Sequence, residues 1–202
     1  MSAETLASRL ADAAQGGGRI VFVDAREREL VISHAELFAR AQRAAGGIAA
    51  HGIEPGQRVA IIAATSPAFF DGFFGAILAG AVPVPLYPPV RLGRMQESHE
   101  RTAAMLRGAR ARIVLADSRT RRVLGRSVDL ARPKLGCVAL EEIHGSPLAL
   151  RELDPDAIAF LQFSSGTTQA PKPVALTHRQ ILANADAIAA AIRVAYPETH
   201  GF

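Results

Sequence analysis

Short, continuous apolar segments alternate with helix-like segments along most of this chain, and this alternation constrains the fold most. RVAIIAA at 58–64 and ARIVLAD at 111–117 have almost no polar face, which is typical of strands in a sheet covered on both sides. GCVAL at 136–140 is a third such segment. Helix-like segments separate them, at residues 66–79, 95–110 and 120–131. The order predicts an α/β fold, with a mostly parallel sheet flanked by helices. We expect 59–63 and 113–116 to be central strands.

The remaining segments complete the predicted order. RIVFVD and ELVIS, at 19–24 and 29–33, predict a hairpin that leads into a helix capped by Ser33. AVPVPLYPP at 81–89 is extended, and its prolines favour a sheet edge. Polar residues 141–156 predict a linker. DAIAFLQFS and PVALTH then predict a second hairpin, before a helix at 179–194. We divide the chain into an N-terminal helix and linker, 1–18, and one domain, 19–202.

Composition excludes several classes of protein. The chain has 202 residues, 49% of them hydrophobic, and a single cysteine, so no internal disulfide is possible. No apolar run approaches the ~20 residues of a membrane span, and the N-terminus lacks the features of a signal peptide. We therefore expect a cytoplasmic protein with no membrane partner. Cys137 lies in a strand-like segment without a catalytic motif, which favours a packing role over a nucleophile.

Arginine dominates the positive charge. The net charge is +4, and Lys134 and Lys172 are the only lysines. Residues 101–126 hold eight arginines against one acid, Asp117. This segment is either a dock for an acidic partner or a solvated helix face. Nucleic acid is disfavoured because the segment has no aromatic residue for stacking on bases.

The histidines predict no metal site. All six are scattered, no pair has the i, i+4 spacing of ligands on one helix, and there is no second cysteine. His178 lies in Thr177-His-Arg-Gln180, which has capping-box spacing. That position favours a role at a helix start over contact with a substrate.

SSGTTQAPKPV, at residues 164–174, is the segment that carries chemistry. Small residues let backbone N–H groups approach phosphate oxygens, hydroxyls add donors, and Lys172 adds charge. A Walker loop needs Gly-x-x-x-x-Gly-Lys-Ser/Thr running into a helix, whereas Pro173 and a strand-like segment follow this lysine. From the residues alone, a phosphate site and a plain hydroxyl-rich hairpin turn both stay open.

LQFSSGTTQAPKPVALTHRQILAN resembles the nucleotide-phosphate loop of the adenylate-forming superfamily, whose pattern is Thr/Ser-Ser-Gly-Ser/Thr-Thr-Gly-x-Pro-Lys-Gly-Val, then His and a helix. The matching residues are Ser164, Ser165, Gly166, Thr167, Thr168, Pro171, Lys172, Val174 and His178. VPLYPP followed by an arginine-rich helix is most similar to the fatty acyl-AMP ligase branch and to long-chain acyl-CoA synthetases. The resemblance implies that the domain is the first subdomain of the large N-terminal domain of such an enzyme, a partial AMP-binding domain with its phosphate loop at 164–174.

The resemblance also implies an activity. The full enzyme would be an ATP- and Mg²⁺-dependent ligase of fatty acid metabolism that converts a fatty acid carboxylate to acyl-AMP. Its acceptor would be an acyl carrier protein or CoA. The cofactor-binding residues implied here are Ser164, Ser165, Gly166, Thr167, Thr168 and Lys172; no catalytic residue and no metal ligand are implied in this stretch.

Two departures from the family pattern bear on activity. Gln169 stands where the family has glycine, and Pro173 replaces the glycine after the lysine. Pro173 lacks a backbone N–H donor, and glutamine adopts a positive φ less readily than glycine. We therefore expect weaker phosphate binding than in the family pattern. The family's later motifs, including the catalytic lysine, are not among these residues. The chain is therefore interpreted as the first part of a larger enzyme, a truncated form of one, or a non-catalytic remnant or interaction module. As an incomplete domain it is expected to be inactive alone and to self-associate through exposed apolar surface, for example at 68–79.

Overall fold

A computed structural model of the chain describes residues 4–24, 26–88, 95–164 and 171–195. The elements in chain order are α1 (Leu6–Gln15), β1 (Arg19–Val23), β2 (Glu29–Ser33), α2 (His34–Ala50), β3 (Arg58–Ile62), α3 (Pro67–Leu78), β4 (Val82–Leu86), α4 (Met95–Gly108), β5 (Ala111–Ala116), α5 (Ser118–Ala131), β6 (Cys137–Ala139), a short 3-10 helix (Leu140–Glu142), β7 (Ile158–Phe163), β8 (Pro173–Thr177) and α6 (His178–Ala195).

A parallel four-stranded sheet forms the centre of the fold. Its order is β4-β3-β5-β6, so β3 and β5 are central, as their continuous apolar sequences predict. Successive side chains of β3 point to opposite faces: Val59 and Ile61 join one core cluster, while Ala60 and Ile62 join the other. The prediction of an α/β fold with a mostly parallel sheet is confirmed.

Helices cover both faces of this sheet. α1, α2 and α3 supply the first core cluster, and α4 and α5 supply side chains such as Leu106 and Leu124 to the second. A single polar side chain caps the start of α3 and another caps the start of α5. The Ser66 hydroxyl accepts the Phe69 N–H at 3.2 Å, and Asp117 accepts the Thr120 N–H at 2.7 Å. A strand that meets apolar helices on both faces needs no polar side.

Two antiparallel hairpins complete the described fold. β1 pairs with β2, and β7 pairs with β8, both as predicted. β7 also lies against β4, the proline-containing strand at the edge of the parallel sheet. The second hairpin is therefore placed beside the main sheet.

The predicted linker is irregular after the 3-10 helix, but it is packed against α2. The Ile143 side chain is buried in the first core cluster. The Gly145 N–H donates to the Arg43 carbonyl at 3.0 Å, and the Leu148 N–H donates to the Gln42 carbonyl at 3.0 Å. These bonds hold residues 143–148 against α2.

Two expectations need adjustment. α4 ends at Gly108 and not at Arg110, because Arg110 has a left-handed backbone with φ of 52°. The 68–79 segment is not an exposed apolar surface, since α3 packs on α2 and its C-terminal half is buried. α1, which our division of the chain places before the domain, contributes Ala7 and Leu10 to the first core cluster.

Candidate functional site

The β7–β8 hairpin brings the two ends of the candidate loop together. Phe163 is paired with Pro173 across the hairpin, and the Ser164 N–H donates to the Lys172 carbonyl at 3.3 Å. Ser164 and Lys172 therefore lie side by side at the end of a closed ladder. Ser165, Gly166, Thr167, Thr168 and Gln169 lie outside the described residues, so their predicted roles stay predictions.

β7 anchors this hairpin to the body of the protein. Its alternate side chains enter both cores: Leu161 and Phe163 pack against the second cluster, and the Phe160 ring meets the Phe73 ring edge-to-face at 5.6 Å. Strands fixed on both faces hold a binding residue more precisely than a free loop does. The base of the loop is therefore a rigid support.

Lys172 is exposed at the mouth of the loop. Within the described parts of the chain, no carboxylate forms an ion pair with its ammonium group. Pro173 occupies the first position of β8, where proline is tolerated, and the Lys172 carbonyl still accepts its ladder bond. The ammonium group of Lys172 can therefore bind an anion.

His178 is a structural connector in this arrangement. It is the first residue of α6, 3% exposed, and its Nδ1 accepts the backbone N–H of Leu6 in α1 at 3.2 Å. Burial lowers the pKa of His178, and Asp154 opposes this weakly. The Thr177 and Gln180 side chains make the reciprocal bonds of a capping box. The position therefore agrees with a helix-start role; the contact with α1 has no signal in the sequence.

A second contact joins the same two helices. Arg9 of α1 donates two bonds to the Asp186 carboxylate of α6, at 2.9 and 3.2 Å. The hydrogen bonds to Asp186 and Glu4 raise the pKa of the Arg9 guanidinium above its usual range. The helix that follows the candidate loop is thus tied to the N-terminal helix.

Tyr87 is a further candidate that the sequence analysis did not single out. It follows β4 directly, the strand against which β7 lies, and its side chain is 90% exposed. Ligands in parallel α/β sheets bind at the carboxyl ends of the strands. An exposed aromatic ring at that edge suits a flat ligand, and the tyrosine in VPLYPP is the signal that could have indicated it.

Other chemically notable groups have structural explanations. Arg40 of α2 and Asp71 of α3 form a bidentate pair, with nitrogen–oxygen distances of 2.7–3.1 Å, in the wall of a cavity of about 200 Å³. None of the described residues of the β7–β8 hairpin lines that cavity. Cys137 is half-buried in β6, and burial raises the pKa of its thiol, which disfavours the reactive thiolate.

Neither a metal cluster nor a membrane helix occurs in the parts of the chain that the structure describes. No three His, Cys, Asp or Glu side chains there are grouped to hold a metal ion. None of the described helices is both long and apolar enough to cross a bilayer.

Comparison with known proteins identifies the family. Residues 10–200 match the family described as AMP-binding enzyme. The chain belongs to this adenylate-forming family. AMB antimetabolite synthetase AmbB of Pseudomonas aeruginosa is 35% identical over 162 residues, which are 78% of this chain and 12% of that protein. 4-Coumarate–CoA ligase 3 of Oryza sativa subsp. japonica is 32% identical over 178 residues, 84% of this chain and 31% of that enzyme.

A solved structure agrees with this assignment. A chain from structural and functional studies of fatty acyl-adenylate ligases from E. coli and L. pneumophila matches with a TM-score of 0.84 at 29% identity. The match covers 91% of this chain and 34% of that one. The chain therefore spans about a third or less of each of these three relatives.

Proposed function

We propose that this AMP-binding chain is part of a polypeptide that activates a fatty acid with ATP and Mg²⁺, releasing pyrophosphate and forming acyl-AMP. The observation that carries the proposal is the position of Lys172 at the closed end of the β7–β8 hairpin. Its side chain is exposed, and among the described residues no carboxylate forms an ion pair with it. The likeness to a fatty acyl-adenylate ligase and the VPLYPP segment support a fatty acid over other carboxylates.

Lys172 and the loop would act on the leaving group. ATP supplies the phosphorus atom that the fatty acid carboxylate attacks. The chain's own residues hold the β- and γ-phosphates: Lys172 by its charge, and Ser164 to Thr168 by hydroxyl and backbone donors. Fixed donors that meet growing negative charge lower the barrier of such a step. The described residues offer no ligand set for Mg²⁺, so we assign the metal to no side chain.

The acyl group would pass to an acyl carrier protein or to CoA. Both acceptors contribute a thiol, so the acyl transfer itself does not distinguish them. The carrier protein is supported by the arginine-rich segment 101–126, which suits an acidic partner.

A non-catalytic module is the alternative function. It is supported by Gln169 and Pro173, which replace two glycines of the family pattern. Such a module would keep the fold and provide an interaction surface without forming acyl-AMP.

The test is fatty-acid-dependent exchange of labelled pyrophosphate into ATP. The reaction requires the carboxylate, the α-phosphate and the leaving pyrophosphate to be bound together in one geometry. This chain has a candidate binding site for the pyrophosphate only, so the chain alone is expected to be inactive. A longer polypeptide that continues past residue 202 is expected to show exchange. In that polypeptide Lys172→Ala should lower the rate roughly 100-fold, the usual size of losing one such donor.

Lys134→Ala is the matched control, because Lys134 is the other lysine of the chain and is also exposed. It should leave the exchange rate unchanged. Exchange by the isolated chain that Lys172→Ala abolishes would show that the chain is a complete catalyst. A longer polypeptide that folds but shows no exchange would favour the non-catalytic module.

A further inference from the structure

One side of α5 carries an unusual group of exposed side chains. The helix buries Thr120, Leu124 and Ser127 against the domain. On the opposite side, residues spaced by three, four and seven positions share one face. We call this the α5 basic face, and it consists of Arg119, Arg122, Val123, Arg126, Asp129 and Leu130.

The arginines of this face have no carboxylate partner in the described part of the chain. The exposed acid Asp129 lies on the face itself, three positions after Arg126, and the other nearby acids are engaged elsewhere. Asp117 caps the helix by accepting the Thr120 N–H. Glu141 accepts the N–H and hydroxyl of Ser118, and Glu142 lies 3.7 Å from Arg121, outside this face. Three arginines against the single carboxylate of Asp129 therefore leave a net positive charge at the surface.

The face is also apolar. Val123 is 42% exposed and Leu130 is 43% exposed. Arg107 of α4 donates to the Leu130 carbonyl at 3.0 Å, which brings a fourth cation to the C-terminal end of the face. A solvated helix face needs no exposed branched side chains among its arginines. Surfaces that bind a partner protein, by contrast, combine charged side chains with exposed apolar ones.

We propose that the α5 basic face docks an acidic amphipathic helix of a partner protein. Carboxylates of that helix pair with Arg119, Arg122 and Arg126, and its apolar side chains cover Val123 and Leu130. A nucleic acid would use the arginines but leave both apolar residues uncovered, and the face has no aromatic ring for stacking. The docking surface does not depend on whether the polypeptide adenylates a fatty acid.

A synthetic helical peptide tests this surface directly. The probe carries glutamates and leucines at i, i+3 and i+4 spacing, and its binding to the purified chain is followed by fluorescence anisotropy. Arg122→Glu with Arg126→Glu should weaken binding by about tenfold or more, because like charges then face each other. Val123→Ser with Leu130→Ser should weaken it by roughly threefold or more, through the lost apolar contact.

The matched control reverses two exposed arginines elsewhere, Arg19→Glu in β1 with Arg43→Glu in α2, and so makes the same change in net charge. It should change affinity by no more than about twofold once salt screens distant charges. If the charge-reversed protein does not fold by circular dichroism, Arg122→Gln with Arg126→Gln takes its place and should still weaken binding.

Three results would overturn the proposal. One is equal weakening by the α5 and control reversals, which would mean attraction by net charge alone. Another is equal affinity for a scrambled peptide of the same composition, which cannot present one acidic face. The third is tight binding of a short DNA duplex with no binding of the helical peptide, which would assign the face to nucleic acid.

Discussion

At the scale of single residues, burial decides what His178 does. The sequence places it at the start of a helix, but only the fold shows that its Nδ1 accepts the Leu6 N–H and so joins α6 to α1. The acceptor must be unprotonated, and burial favours that state by lowering the pKa of the imidazole. A histidine close to the candidate loop is in this case a connection between helices.

This contact makes stability depend on pH. Because the pKa of His178 is lower in the folded than in the unfolded chain, where it is near 6.5, the unfolded state binds the proton first. The stabilisation is complete above this value and is lost as the pH falls below it. We expect the free energy of unfolding in urea to drop between pH of about 7.5 and about 5.5.

His178→Asn isolates this contribution. The asparagine oxygen can accept the Leu6 N–H and does not titrate, so the drop between the two pH values should be smaller than in the unchanged protein. An equal drop in both proteins would assign the pH dependence to other groups.

At the scale of elements, glycines of α2 allow the irregular segment 143–148 to lie on the helix. A Cβ on Gly47 would come within 2.8 Å of the His144 backbone nitrogen and 2.9 Å of the Ile143 carbonyl carbon. Backbone atoms cannot move aside as a flexible side chain can. Gly47 would weaken an isolated helix, but in this fold it is the surface on which segment 143–148 packs.

Gly47→Ala should destabilise the protein by about 1–3 kcal/mol, since overpacking outweighs the better helix propensity of alanine. Gly125→Ala is the matched control, because nothing lies within 4 Å of a Cβ at that position in α5. It should stabilise by about 0.5–1 kcal/mol. Unfolding midpoints in urea measure both. A stabilising Gly47→Ala would mean that segment 143–148 is not held against α2.

At the scale of the whole molecule, the two faces of the parallel sheet are covered, but parts of the second hairpin and of α6 are not. Val174 of β8 is 48% exposed, Ile158 of β7 is 44% exposed and Ile188 of α6 is 51% exposed. Part of the apolar surface of α6 therefore lies in solvent. Exposed apolar groups of this kind mark surfaces that bind other surfaces.

We expect the isolated chain to associate through these side chains. Sedimentation velocity should show the average mass rising with protein concentration. Val174→Glu with Ile188→Glu should raise the concentration needed by about tenfold, the size expected for losing one or two buried aliphatic contacts. Leu150→Glu, at an exposed apolar residue of the linker 141–156, is the control and should have no effect. A monomer at all concentrations would contradict this expectation.

The sequence by itself determined the order of strands and helices, the central positions of β3 and β5, and the hairpin that carries Lys172. These follow from local patterns, because continuous apolar strands need cover on both faces and a serine or aspartate before an apolar stripe caps a helix. The loop motif likewise indicated the family, since its residue types and their spacing are local features of the chain.

Only the tertiary structure decided contacts between residues far apart in the chain. The bonds from Leu6 to His178 and from Arg9 to Asp186, and the packing of segment 143–148 on Gly47, join partners that no local pattern relates. The same holds for the α5 basic face, since the sequence counts arginines but the fold decides which acids reach them. Side-chain pairing depends on distances in space, and spacing along the chain does not give those distances.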